Sequence, residues 1–258
     1  HTSGIADDAD DEAGEAYEAI WKTKPCYVVR ETCDFLPQFA YKEPLFPAGT
    51  KSRYNNCAYI LVGLALEKLT GLAFREIVEA EVLGPAGMTG AGYFAKDSVE
   101  PLIAEGYATV TGTEGEAASF RKNIFAYPPI GSPDAGAFVT VRDLARFFAA
   151  IESEVFLSAA SRVEFLRPVT DAFTLENGDL RRYGYAREHD FDPSGKPLRH
   201  GKDGVNPGVA AIAISPCASA TRTRRKMRRT ASPSMPTTNS TLRATGRWRN
   251  TERGSPAD

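Results

Sequence analysis

Two side chains that can hold and pass a proton lie two residues apart in the segment KSRYNNCAY (51–59). Tyr54 carries a phenol, and Asn56 carries an amide that both donates and accepts hydrogen bonds. With 10 tyrosines and 7 asparagines in 258 residues, about 0.3 such pairs arise by chance, so the spacing alone is a weak signal. A free phenol titrates near ~10, and it acts as a base only where cations stabilise the phenolate. Tyr54 therefore needs a cationic partner from elsewhere in the chain.

The sequence indicates neither a metal site nor a cofactor. Its three histidines and four cysteines show none of the spacings typical of metal ligands. Cys26 and Cys33 could pair in an oxidising compartment, although free thiols are the simpler interpretation. No stretch reaches the ~18 apolar residues of a membrane-spanning helix. The chain begins with His1 rather than Met, so the sequence leaves its compartment open, as it does its oligomeric state.

Apolar patterns predict helices in the first two thirds of the chain. The acidic segment 7–22 is a candidate helix. The segment 58–70 is apolar almost all round, which predicts a helix enclosed in a core, ending at Gly71. An amphipathic helix is expected next, with a one-sided stripe made of Leu72, Phe74, Ile77, Val78 and Val82.

Two more helices and then several strands are expected downstream. Thr140 and Asp143 resemble a capping box that starts the helix VRDLARFFAAIES, and a further helix is expected over 157–166. The periodicity then changes, and the segments 181–188, 196–203 and 208–215 are strand candidates separated by Gly and Pro. A helical region followed by antiparallel strands predicts an α+β fold.

Residues 217–258 differ from the rest of the chain in composition. They hold ten Arg or Lys and two Asp or Glu, a balance of +8, and they contain no Val, Ile, Phe or Tyr. Such a segment cannot bury enough surface to offset its ordering entropy, so we expect a basic, disordered tail, read out of frame or foreign to the fold. The domain organisation predicted is a globular part over 1–216 and this tail over 217–258.

Four segments in order resemble the serine β-lactamase-like family, which includes class C β-lactamases, penicillin-binding proteins, D-amino-acid peptidases and esterases. They are HTSGI (1–5), the segment 46–88, GSPDAGAFVTVRDLARF (131–147) and GKDGVNPGV (201–209). Each motif is loose, but four in sequence are far more specific than one. The resemblance implies a β-lactamase/transpeptidase-like α+β fold, here incomplete at both ends.

The resemblance also implies a role for each candidate residue. Tyr54 would carry the proton in acyl transfer, polarised by Lys202 from the facing strand. Asn56 would bind an amide of the substrate. Gly204 would let the substrate lie close against the strand, and the Val205 backbone N–H would form half of the oxyanion hole.

The third family motif, written Lys-Thr-Gly or His-x-Gly, has two possible registers in this chain. Counting back from the Pro-Gly bend at 207–208 gives Lys202-Asp203-Gly204, whereas a start at His200 lacks the closing glycine. We prefer the first register. It puts Asp203 where the family has a hydroxyl, and a carboxylate there would repel an anionic substrate and offers no donor. An uncharged ester or amide therefore fits better than a β-lactam.

The nucleophile of this family belongs to a Ser-x-x-Lys motif upstream of the HTSG segment, with which this chain begins. We therefore expect the nucleophile to be absent from the chain and the chain to be inactive. Ser119–Lys122 has the right spacing, but about 0.6 such pairs arise by chance and this one follows Tyr54 instead of preceding it. We interpret Ser119–Lys122 as a coincidence.

The sequence thus predicts a serine hydrolase that acts on a small-molecule or peptide ester or amide through an acyl-enzyme, without metal or cofactor. Two alternatives stay open. The chain could be a non-catalytic relative that uses the same cleft for binding. The basic tail could instead bind nucleic acid, although we do not expect nucleic acid as a partner.

Overall fold

Helices and antiparallel strands occupy separate parts of the chain in the computed structural model, which describes residues 1–9, 21, 24–110 and 119–216. The α-helices are α1 (Cys57–Thr70), α2 (Phe74–Val78), α3 (Val141–Glu152) and α4 (Ala159–Phe165). The strands are β1 (Tyr107–Val110), β2 (Ser119–Lys122), β3 (Phe173–Thr174), β4 (Leu180–Tyr183), β5 (Glu188–Phe191), β6 (Pro197–Asn206) and β7 (Val209–Pro216). The predicted α+β class is confirmed. Most of the acidic segment 7–22 and the whole tail 217–258 lie outside the described residues.

The five strands β3 to β7 form one antiparallel sheet in chain order. Its longest pairing joins β6 to β7, where Lys202 lies opposite Ala213, and Gly208 closes the connecting turn with a positive φ of 73°. The prediction of one strand over 181–188 is wrong, because a turn closed by the bond from the Gly184 N–H to the Arg187 carbonyl separates β4 from β5. The strands β1 and β2 form a separate hairpin.

Helix α1 follows Tyr54 and carries part of the core. Its buried residues are Cys57, Ile60 and Gly63, three positions apart, and Cys57 and Ile60 pack with Phe35 and Phe39. The expectation of a helix enclosed on all sides is wrong, because Val62 is 54% exposed and Leu69 is 82% exposed. The helix ends at Gly71 in the left-handed conformation, as predicted.

The predicted amphipathic helix after Gly71 is interrupted. Helix α2 runs into a π-helical turn over Glu79–Leu83, in which the Gly84 N–H bonds the Glu79 carbonyl five residues back. The extra residue of this turn advances the register by one position. As a result Leu83 is buried with Ile77, where the sequence stripe had placed Val82.

Helix α3 starts at the capping box that the sequence predicts. The Thr140 hydroxyl accepts the Asp143 N–H at 3.1 Å, and the Asp143 carboxylate accepts the Thr140 N–H at 3.2 Å. Of the predicted apolar face, Ile151 is buried, whereas Val141 at the helix start is exposed. Helix α4 falls within the predicted range 157–166.

Candidate functional site

Tyr54 and Lys202 meet although 147 residues separate them in the sequence. The Lys202 Nζ atom lies 4.9 Å from the centroid of the Tyr54 ring, in cation–π range. Tyr54 lies in the loop that leads into α1, and Lys202 lies on β6. Within the described residues, the half-buried Tyr54 hydroxyl makes no hydrogen bond to protein. The structure therefore brings the predicted proton carrier to the predicted cation.

Glu188 on β5 is the closest partner of Lys202. The Lys202 Nζ donates to Glu188 Oε1 at 2.8 Å, and the other oxygen, Oε2, pairs with Arg181 on β4 at 2.7 Å. Asp203 adds a second negative charge, with its Oδ1 atom 3.6 Å from Lys202 Nζ. The Lys202 ammonium is therefore balanced by carboxylates of its own sheet.

The electrostatic surroundings of Tyr54 favour the neutral phenol. Burial is the main cause that raises the Tyr54 pKa, and the negative charges of Glu188, Asp134 and Asp7 raise it further. For the described residues the direction of this shift is thus opposite to the lowering by cations that a role of Tyr54 as a base requires.

The two asparagines after Tyr54 have different roles. The Asn55 side chain is buried, where it donates to the Ile5 carbonyl at 2.9 Å and accepts the Ala58 N–H at 2.6 Å. The Asn56 backbone N–H is bound by the Asp7 carboxylate at 3.0 Å. No side-chain hydrogen bond of Asn56 is found within the described residues, and its role in binding the substrate stays a prediction.

The rest of the third motif continues along β6 towards solvent. Asp203 is 51% exposed, Val205 is exposed, and a Cβ added at Gly204 would meet no atom within 4 Å. The protein itself therefore does not require a glycine at 204, and the open space leaves room for another molecule. Gly201 is different, because a Cβ there would lie 2.1 Å from the Ala213 carbonyl oxygen of β7.

His200 has its contacts away from Tyr54. Its Nδ1 atom is hydrogen-bonded to the Arg187 guanidinium, and its ring lies 5.8 Å from that of His189. Burial and the Arg187 charge lower the His200 pKa. Of the two candidate heads of the third motif, Lys202 is thus the one that contacts Tyr54.

Ser119 and Lys122 lie on the exposed hairpin strand β2. Side chains alternate between the two faces of a strand, so residues three apart point to opposite faces. The Lys122 ammonium is also paired with Glu105. This pair lacks the one-face arrangement that a Ser-x-x-Lys motif has on a helix.

Sequence reasoning missed Glu188, because a carboxylate at the start of a short strand gives no local signal. Its role depends on the register that places β5 between β4 and β6. The structure also groups ligand atoms of Asp7, Asp8 and Cys57 within 4.8 Å of one another, but the Asp7 oxygens already accept the N–H groups of Asn56 and Cys57.

No single helix in the described ranges has the length and apolar composition needed to cross a membrane. Among the same residues, α1 and the segment Phe74–Leu83 reach that length and composition together, but the two are bent by 82° with respect to each other.

The sequence profile of the Beta-lactamase family matches residues 1–222. Penicillin-binding protein 4* of Bacillus subtilis (strain 168) is 26% identical over 168 residues, which are 62% of this chain and 36% of that protein. A D-aminopeptidase of Cereibacter sphaeroides is 29% identical over 170 residues, which are 65% of this chain and 31% of that protein. The chain thus spans about a third of the length of these relatives.

Solved structures agree with the profile. A penicillin-binding protein from Bacillus halodurans superposes with a TM-score of 0.77 at 34% identity, covering 85% of this chain and 64% of that one. A D-stereospecific amidohydrolase from Streptomyces sp. superposes with a TM-score of 0.66 at 20% identity, covering 84% and 62%, and shows the fold alone. From the family match and the fold we conclude that the chain belongs to the Beta-lactamase family.

Proposed function

We propose that this chain is part of a serine hydrolase that cleaves an uncharged ester or amide through an acyl-enzyme. The observation that carries the proposal is the contact between Tyr54 and Lys202, made across the fold by the loop before α1 and strand β6. A phenol beside an ammonium can pass a proton in acyl transfer. The family membership and a relative named D-aminopeptidase fit this reaction.

The proposed reaction uses Tyr54 in both directions. As a serine hydroxyl adds to the substrate carbonyl, its proton passes to the Tyr54 oxygen. Tyr54 must therefore be a phenolate before this step, and it is a neutral phenol after it. When the carbon–oxygen or carbon–nitrogen bond breaks, the phenol gives that proton to the leaving alcohol or amine. Water then repeats the sequence on the acyl ester and releases the acid. Asn56 would orient the substrate, and the Val205 N–H would bind the developing oxyanion.

We propose that the nucleophile comes from a segment outside residues 1–258. In the described residues the Tyr54 ring contacts His1, Tyr183 and Lys202, and none of these three provides a serine hydroxyl. A second lysine beside the nucleophile would supply Tyr54 with a positive charge, since the charge of Lys202 is neutralised by Glu188. A helix carrying both would also cover apolar surface left exposed along α1.

The substrate class follows from Asp203. Its carboxylate is half-exposed on β6 beside Lys202, so a substrate lying along this strand meets a negative charge. An anionic substrate would be repelled, and the Asp203 side chain offers no hydroxyl to donate to it. Uncharged short-chain esters and amides are therefore preferred to penicillins and cephalosporins.

The test joins the chain to the coding sequence upstream of His1 and uses a fluorophosphonate probe, which labels an activated serine. We expect stoichiometric labelling of the longer protein and none of residues 1–258. If the longer protein is folded yet unlabelled, the chain belongs to a non-catalytic binding relative. Labelling of residues 1–258 that is lost in Ser119→Ala would refute the proposed origin of the nucleophile.

A further inference from the structure

Glu188 is a buried carboxylate shared by two cations of neighbouring strands. Its side chain is 9% exposed, one oxygen lies 2.8 Å from Lys202 Nζ on β6, and the other lies 2.7 Å from Arg181 on β4. A carboxylate removed from water is costly unless it is paired and hydrogen-bonded, and here both oxygens are. The pairing therefore fixes both cations.

This bond determines where the Lys202 ammonium lies. A lysine side chain is a flexible four-carbon stem with a compact charge, and at 37% exposure it would otherwise sample many rotamers. Held by Glu188, the ammonium lies 4.9 Å from the centroid of the Tyr54 ring. Glu188 thus places the charge and, at the same time, neutralises it.

We infer that Glu188 is a positioning residue of the proposed site, which holds the Lys202 ammonium over Tyr54 and keeps Tyr54 a neutral phenol until a further cation arrives. This inference rests on the proposed function. It explains how Tyr54 can lie beside a lysine and still be a neutral phenol, which cannot act as a base. A second cation brought by the nucleophile segment would shift the balance at Tyr54 towards the phenolate.

The charges around Tyr54 agree with this role. After burial, Glu188 is the largest contribution that raises the Tyr54 pKa, ahead of Asp134 and Asp7. Removing the Glu188 charge takes away this anion and leaves the positive charge of Lys202 without the carboxylate that neutralises it. Both changes act in the same direction, so Glu188→Gln lowers the Tyr54 pKa.

Asp190 provides a matched control on the same strand. Its carboxylate is also buried, and it pairs with Arg181 at 2.8 Å and with Arg199 at 2.7 Å. It differs from Glu188 in having no contact with Lys202 within the described residues. Asp190→Asn therefore removes a buried, Arg181-paired carboxylate of β5 without altering the partner of Lys202.

The experiment places 3-fluorotyrosine at position 54 of the 258-residue chain and follows its ¹⁹F signal with pH. Fluorine lowers the phenol pKa towards the range in which proteins stay folded, and the signal reports this ring alone among 10 tyrosines. We expect Glu188→Gln to lower the pKa of this ring by about one pH unit or more. Glu188→Asp, which keeps the charge, should restore most of the difference, and Asp190→Asn should leave the titration near that of the parent.

Lys202→Met tests whether Glu188 acts through Lys202. In the parent, we expect this change to raise the pKa of the labelled ring only slightly. In the Glu188→Gln background the rise should be clearly larger, because there the Lys202 ammonium is no longer neutralised. Equal effects in the two backgrounds, or an Asp190→Asn shift as large as that of Glu188→Gln, would overturn the inference. The readout needs no catalysis, so it fails or succeeds independently of the labelling test for the proposed function.

Discussion

Asp7 caps helix α1 from 49 residues away in the sequence, through its carboxylate and the backbone N–H groups of Asn56 and Cys57, at 3.0 Å to each. The first N–H groups of a helix have no partner within the helix. Asn56 supplies no side-chain cap of its own. The segment at the start of the chain thus anchors the loop that carries Tyr54, which makes Asp7 important for both the helix and the site.

Asp7→Ala should therefore destabilise the chain. We expect a loss of about 1–3 kcal/mol in the free energy of unfolding, because helix N–H groups lose a charged acceptor. Urea denaturation followed by circular dichroism measures the change. Asp171 is exposed and serves as the control, since Asp171→Ala should change stability by less than about 0.5 kcal/mol. Equal effects of the two substitutions would contradict the role of Asp7.

The cluster of Arg187, His189 and His200 makes the fold sensitive to acid. Burial, together with the charges of His200 and Arg187, lowers the His189 pKa to about 4, although Asp190 opposes the shift. Glu152 opposes the smaller shift of His200. A histidine whose pKa is lower in the folded state than in the unfolded state contributes full stability above pH ~6.5, and that stability is lost as the pH falls towards 4.

The expected loss from His189 is roughly 1.5 kcal/mol between pH 6.5 and pH 5. Urea midpoints measured over this range give the slope. His189→Gln removes the titrating group and should flatten the slope, while leaving intact the share that arises from His200. A parent protein whose midpoint does not move between pH 6.5 and pH 5 would refute this account.

The features that the sequence predicted best are local. The capping box of Thr140 and Asp143 and the glycine end of α1 depend on residues within one turn, and both are present. Burial along α1 and the register shift to Leu83 could not be predicted, because they depend on which neighbours cover the helix and on one π-helical turn. The role of Glu188 could not be predicted for a related reason, because it is the order of the strands in the sheet that brings Glu188 to Lys202.

We expect Asp203 to decide which substrates the proposed hydrolase accepts. Asp203→Thr removes a negative charge beside Lys202 and supplies a hydroxyl donor, so we expect kcat/KM for a penicillin to rise by about tenfold or more. The value for a short uncharged ester should change much less. Steady-state kinetics of both substrates on the protein with its upstream segment provide the measurement. Better penicillin hydrolysis by the Asp203 form would contradict the proposed substrate class.

We expect residues 217–258 to be an out-of-frame or foreign extension. The family profile ends at residue 222, close to the predicted boundary, and the later residues lack the β-branched and aromatic side chains of strands. Translating the gene in its other two frames beyond Pro216 should give one frame that continues with strand and helix patterns. If neither frame does, the tail is native. An Arg-rich nucleic-acid arm would then be tested by salt-dependent binding to DNA or RNA.

Substitutions of Tyr54 and Tyr59 should affect the proposed acylation and the stability of the fold differently. The Tyr59 hydroxyl accepts the Ala186 N–H at 3.1 Å, whereas the Tyr54 hydroxyl makes no hydrogen bond within the described residues. Tyr59→Phe should therefore lose about 1 kcal/mol of unfolding free energy, and Tyr54→Phe should lose less than about 0.5 kcal/mol. In the protein with its upstream segment, Tyr54→Phe should instead have the larger effect when the rate of acylation is measured. Tyr54→Phe should slow fluorophosphonate acylation by about 100-fold or more, because the proton carrier is gone, and Tyr59→Phe should slow it only a few-fold. Acylation that survives in Tyr54→Phe at the parent rate would remove Tyr54 from the mechanism.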